Sequence, residues 1–174
     1  MKKNERLLQL LLGMSFIFYA VFVIWNILFK YVSPLELFST ERHFMRSYNL
    51  IPYFDLIVKG HVNALDLYGN ILLFIPFGVY LSYHEENRNM FRSVLIILFV
   101  SIGFELIQFV FGIGATDVTD VINNTLGGVI GMGCCVLLTK LLKKKSRVRL
   151  LLTVCSTTAM IFVSVILIAL KLAN

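Results

Sequence analysis

Charge is scarce in this chain: 15% of its 174 residues are Asp, Glu, Lys or Arg, where soluble globular domains carry about a quarter. That shortage argues against a soluble fold. Cysteine is also rare, and Cys134, Cys135 and Cys155 lie inside apolar runs without the Cys-x-x-Cys or Cys/His spacing of a zinc or redox centre. They read as small apolar packing residues. The three histidines, His43, His61 and His84, are scattered through connections, so no Ser/His/Asp or Cys/His nucleophile set is apparent. No internal repeat or low-complexity stretch stands out, and the inverted duplication of many secondary transporters is missing from the single chain.

What the chain has instead is hydrophobic length, with 58% of its residues apolar. Five runs are long enough, or nearly so, for the roughly 20 residues that cross a bilayer: Leu7 to Phe29, Leu67 to Tyr83, Ser93 to Phe111, Val121 to Leu142 and Leu150 to Leu170. The first follows a basic start and ends at Trp25, Phe29, Lys30 and Tyr31, an interfacial anchor and not a cleavage site. The second is short and interrupted by Pro76 and Gly78, which predicts a kinked or tilted helix. The expected fold is an all-α polytopic membrane protein, a compact bundle of about five transmembrane helices forming a single domain over 1–174.

The net charge of +6 does not point to nucleic acid, because no basic face with base-reading elements accompanies it. Basic residues instead flank the apolar runs, chiefly Lys2, Lys3, Arg6 and the cluster from Lys140 to Arg149, as expected for cytoplasmic ends touching anionic lipid. Placing the N-terminus inside puts 11 of the 16 Lys and Arg on the inner side and 5 on the outer. The positive-inside rule therefore favours a cytoplasmic N-terminus and an external C-terminus. The long connection from Lys30 to Asp66 and the shorter one from Gly112 to Asp120 then both face outward. The long one, rich in aromatics, reads as an interfacial helix or re-entrant hairpin and not as disorder.

Polar residues gather at that outer end. Glu105 and Gln108 are three apart and share a helical face. A carboxylate at membrane depth costs roughly 2.5 to 3.5 kcal/mol at the helix centre and normally faces the bundle interior or a water-filled cavity. Asp117, Asp120 and Asn124, spaced by three and four, align with Gly127 and Gly131. The glycines form a GxxxG pair suited to close helix packing. For the aspartates two readings stay open, capping of a helix start or membership of a shared site. Arg46, Asn49 and Asn70 lie on the same side under this topology, and for the Arg two readings stay open, pairing with carboxylates or an anionic head group and plain solvation at the interface. Glu105, Asp117 and Asp120 are the candidate acids or bases. They would also suit a hard cation such as Mg²⁺ or Ca²⁺, but no metal or other cofactor is expected.

Four stretches carry a family resemblance: Arg46-Ser47-Tyr48-Asn49-Leu50-Ile51-Pro52, Asn70 through Phe74-Ile75-Pro76-Phe77-Gly78, Phe104-Glu105-Leu106-Ile107-Gln108-Phe109, and Gly114 through Asp117, Asp120 and Asn124 to Gly128. In this order, over roughly 40–135, they resemble the VanZ-like family of bacterial membrane proteins. The fifth helix, about 150–170, lies outside the firm match. The resemblance implies a multi-pass protein of the Gram-positive cytoplasmic membrane that lowers susceptibility to teicoplanin-type lipoglycopeptides. It implies no particular reaction. The expected partners are membrane lipids and a lipid-linked cell-wall precursor or the lipoglycopeptide itself, with an oligomer also compatible. The leading mechanism is an outward polar pocket of Arg46, Asn49, Asn70, Glu105, Gln108, Asp117, Asp120 and Asn124 that binds or modifies such an amphiphile. The alternatives are an enzyme acting on an envelope lipid or glycan, a proton-coupled transporter, and a purely structural partner protein.

Overall fold

The computed structural model describes residues 2–30, 32, 45–60, 64–85 and 89–173, with the backbone alone at 2, 3, 45, 46, 55, 56, 59, 65 and 66. Along the chain these form α1 (Lys2–Leu28), β1 (Met45–Asn49), α2 (Phe54–Lys59), α3 (Ala64–His84), α4 (Met90–Phe111), β2 (Ile113–Asp117), α5 (Val118–Leu142) and α6 (Lys145–Ala173). The architecture is thus all-α in its mass, five long helices with one short one.

Among the described residues four helices, α1, α4, α5 and α6, are long and apolar enough to cross a membrane. α3 is the short second run. Its 21 residues reach roughly 30 Å at 1.5 Å per residue, the thickness of a hydrocarbon core, but Asn70 and Pro76 dilute its apolar character. The helix continues through Pro76, whose missing N–H leaves the Leu72 carbonyl without its helical donor. Outward faces are apolar: on α6, Ile161, Phe162, Val165 and Leu172 are all exposed. In water such a surface would be an aggregation site, whereas hydrocarbon solvates it.

Contacts divide the chain into two units, 1–24 with 138–174, and 25–137. In the first, Ser15 Oγ and Ser156 Oγ share a hydrogen bond of 2.8 Å, and Thr153 Oγ1 donates to the Leu8 carbonyl at 3.4 Å. The contacts ascend together, Leu8 with Thr153 and Ser15 with Ser156, so α1 and α6 run in the same sense. Interhelical hydrogen bonds in membranes are individually weak, on average about 0.6 kcal/mol. Ser156→Ala is therefore expected to lower stability by no more than about 1 kcal/mol, read as a small shift in a melting curve of the purified protein.

In the second unit α3, α4 and α5 pack closely because glycine permits it. A Cβ at Gly127 would stand on the Ile71 carbonyl, one at Gly131 on the Ile75 carbonyl, and one at Gly78 on the Gly128 carbonyl. The order Ile71 with Gly127, then Ile75 with Gly131, makes α3 and α5 parallel. From α4, Ile97 fills the space above Gly128, its Cδ1 only 2.5 Å from where a Cβ would be. Phe74, 1% exposed, meets Phe104 edge to face at 6.3 Å and ties α3 to α4.

α4 ends at Gly112, whose φ of 59° is left-handed and whose N–H returns to the Gln108 and Phe109 carbonyls. This cap turns the chain directly into β2. The segment 112–120, expected as a simple connection, is instead a strand followed at once by the first turn of α5. β2 pairs in parallel with β1, Met45 opposite Ile113 through Asn49 opposite Asp117. The long connection likewise supplies a strand and the short helix α2 over 45–60. Among the cysteines, Cys135 is buried as a packing residue, while Cys134 and Cys155 are exposed.

Candidate functional site

The buried stripe of α4 consists of Ser93, Ile97, Ser101, Glu105 and Gln108, steps of four, four, four and three that keep one face inward. α5 buries Thr119, Asn123, Gly127 and Gly131 on every fourth position, with Asn124 and Gly128 beside them. Both stripes turn polar at the same end, where α4 finishes and α5 begins. The resulting interior patch is built of carboxylate, amide and hydroxyl groups on three helices.

Glu105 is its centre, 4% exposed. Its Oε2 accepts the Asp117 N–H at 2.8 Å, and its backbone carbonyl accepts Thr116 Oγ1 at 3.1 Å. The carboxylate thus anchors the end of β2 to α4. The charges acting on it are those of Asp120 and Asp117, which repel it, and of Lys30, which attracts it.

Asp117 stands just before α5 and caps it: Oδ1 accepts the Thr119 N–H at 2.8 Å, the bond that defines an N-cap. Its Oδ2 accepts Asn49 Nδ2 at 3.4 Å, and Asn49 Oδ1 accepts the Ile51 N–H at 3.1 Å. The chain after β1 then closes over the start of α5. Tyr53 has φ of 55°, rare for a non-glycine residue. It is held there by its N–H donating to Thr119 Oγ1 at 3.0 Å and its hydroxyl donating to Asn123 Oδ1 at 3.2 Å. Deeper in, Asn124 Nδ2 donates to Ser101 Oγ at 2.9 Å.

Hydrogen bonds therefore join Asn49 to Asp117 and Asp117 to Glu105, and fix Asn124 to Ser101 one turn before Glu105 on α4. Gln108, on the same buried stripe as Glu105, donates its Nε2 to the Ile27 carbonyl at 2.9 Å, which brings the end of α1 beside the end of α4. Asn70, 9% exposed, precedes Ile71, the residue that touches Gly127. Asp120 is half-buried in the first turn of α5. Arg46 pairs through its backbone with Gly114; its side chain lies outside the described residues. Asp117, aligned by spacing with Asp120 and Asn124, is not on the helix itself, and the buried line runs through Thr119 and Asn123. Those two, with Ser101, Tyr53 and Lys30, complete the site. Extending the Gly131, Gly127 stripe backwards by fours would have found Asn123 and Thr119.

Four buried polar atoms here have no partner among the described residues: Asn70 Nδ2, Gln108 Oε1, Asn123 Nδ2 and Asn124 Oδ1. Among the same residues no group of three or more His, Cys, Asp or Glu could hold a metal ion.

The VanZ/LLP1 family model matches residues 16–143, most of the chain. Protein VanZ of Enterococcus faecium is 38% identical over 114 residues, covering 66% of this chain and 66% of that protein, so the match spans just under two thirds of the relative's length. No solved structure matches. The matched region contains β1, α2, α3, α4, β2 and α5, and with them every residue of the polar patch, and by this match the chain belongs to the VanZ/LLP1 family.

Proposed function

We propose that this protein is a multi-pass component of the bacterial cytoplasmic membrane that lowers susceptibility to teicoplanin-type lipoglycopeptides by engaging an amphiphile at its polar end. The amphiphile is an envelope lipid, a lipid-linked cell-wall component or the antibiotic. The distribution of Lys and Arg favours a cytoplasmic N-terminus and an external C-terminus, and the shared sense of α1 and α6 accords with termini on opposite faces. The polar patch then opens outward, where such ligands are met.

The observation that carries this reading is the buried carboxylate of Glu105 beside unpartnered amide groups. A core kept only for stability would not strand four buried polar atoms, since each one costs about 1–3 kcal/mol. Asn49, Asp117 and Asp120 at the rim would meet the polar part of the ligand, with Asn70, Gln108 and Asn124 below.

The test is teicoplanin susceptibility of cells expressing wild-type protein, Glu105→Gln or Asp120→Asn at matched membrane abundance. Wild-type protein is expected to raise the inhibitory concentration and Glu105→Gln to return it to the level of cells without the protein. Undiminished protection by both variants sinks the site. Glu105 also favours a second reading, general acid–base catalysis on an envelope lipid or glycan, because a buried carboxylate is a suitable proton carrier. Mass spectrometry of lipids and wall precursors separates the two: catalysis leaves a covalently altered product, binding does not.

A further inference from the structure

The unpartnered atoms carry information about the ligand itself. They are two donors, Asn70 Nδ2 and Asn123 Nδ2, and two acceptors, Gln108 Oε1 and Asn124 Oδ1. All four belong to side chains at least nine-tenths buried: Asn70 is 9% exposed, Gln108 4%, and Asn123 and Asn124 1% each. They lie toward one end of the helix set, near the start of α3, the end of α4 and the start of α5. Ile71, next to Asn70, touches Gly127, one turn along the stripe from Asn123. Asn124 is fastened to Ser101, one turn before Glu105, and Gln108 lies one turn beyond it. Native proteins rarely leave buried groups unsatisfied, and a concentration of them in one place calls for a missing partner.

The balance of donors and acceptors selects the partner's chemistry. A phosphate or carboxylate only accepts, so it would satisfy the two N–H groups while facing the bare oxygens of Asn124 and Gln108. It would also enter a region whose nearest carboxylates are Glu105, Asp117 and Asp120, against the single described cation acting there, Lys30. A hydroxyl both donates and accepts and carries no charge. We infer that the amide groups of Asn70, Asn123, Asn124 and Gln108 form a recognition site for an uncharged, hydroxyl-bearing head group, such as a sugar, on a membrane amphiphile. This deepens the reading of the polar end as a binding site and rests on it. Tyr53, which donates its own hydroxyl to Asn123 Oδ1, already shows one amide of the set accepting that type of donor.

The experiment uses full-length protein in lipid nanodiscs and two probes with the same chain, octyl β-glucoside and octyl phosphate, each below its critical micelle concentration. The glucoside is expected to raise the melting temperature of the wild type saturably, and octyl phosphate to leave it unchanged. Asn70→Leu, close in volume and without the stranded donor, is expected to abolish the glucoside response. Without probe it should melt about 2–4 °C above the wild type, because it removes an unpaired buried group. Stabilisation by octyl phosphate in place of the glucoside, a response to neither, a glucoside response that survives Asn70→Leu, or a lower melting temperature for that variant would each overturn the inference. A glucoside response in nanodiscs combined with unaltered teicoplanin susceptibility in cells rejects the resistance reading and leaves the head-group assignment standing.

Discussion

Gly131→Leu is expected to remove most folded protein from the membrane. A side chain at Gly131 has no rotamer to escape into, because its first atom would clash with the Ile75 carbonyl oxygen and press on the Val79 nitrogen. Neither is the end of a flexible group. Relief requires α3 and α5 to separate, which undoes the seating of Gly127 on Ile71 and of Gly78 on Gly128. Overpacking that forces backbone to move costs about 1–3 kcal/mol and occasionally more, and a clash with backbone on both sides belongs at the upper end. Gly131→Ala, with the clash but little further bulk, is expected to be milder. The control is Gly133→Leu two residues away, where nothing lies within 4 Å of the added Cβ. It is expected to accumulate like the wild type. Quantifying detergent-extracted, monodisperse protein for the three variants checks this. Equal recovery of Gly131→Leu and Gly133→Leu would show that the α3–α5 approach is not needed for folding.

Asp117→Ala is the second large expected loss, about 1–3 kcal/mol, read as a lower melting temperature with faster proteolysis around 45–60. One carboxylate serves two neighbours: it caps α5 through the Thr119 N–H and holds Asn49 at the end of β1. Loss of the cap alone is worth about 0.5–2 kcal/mol, and Asn49 is left without its acceptor. Asp117→Asn separates structure from charge. Asn caps as well as Asp, and an amide oxygen still accepts the Thr119 N–H, so Asp117→Asn is expected to keep the fold. Any loss of protection it causes then reports on the charge. Equal destabilisation by Ala and Asn would mean that the negative charge, and not the cap, is what the structure requires there.

The helices were legible because hydrophobic length is a local property. Runs beginning at Leu7, Leu67, Ser93, Val121 and Leu150 correspond to α1, α3, α4, α5 and α6, and each helix extends a few residues further into polar sequence, α6 starting at Lys145. Lysine and arginine have good helix propensity, so apolar content alone understates a helix's reach. The strands were not legible. Met45–Asn49 and Ile113–Asp117 hold Ser, Asn, Gly and Asp, which are poor strand formers, and each becomes a strand only against the other. Within the site, Glu105 was conspicuous because a carboxylate in an apolar run has no local explanation. Thr119 and Tyr53 were not, since their roles depend on a backbone N–H meeting a hydroxyl 66 residues along the chain.

The parallel pairing of β1 and β2 also imposes an order on biosynthesis. Asn49 and Asp117 are 68 residues apart, and between them lie all of α3 and α4. β1 leaves the ribosome well before its partner exists, and a lone strand has no stability of its own. The two long helices α3 and α4 must be threaded and Glu105 brought into position before the ladder closes. Non-local contacts of this kind form late, after the chain entropy of the loop has been overcome. The polar end is thus completed late, and a chain stalled before Asp117 has α1, α3 and α4 but neither the closed ladder nor α5.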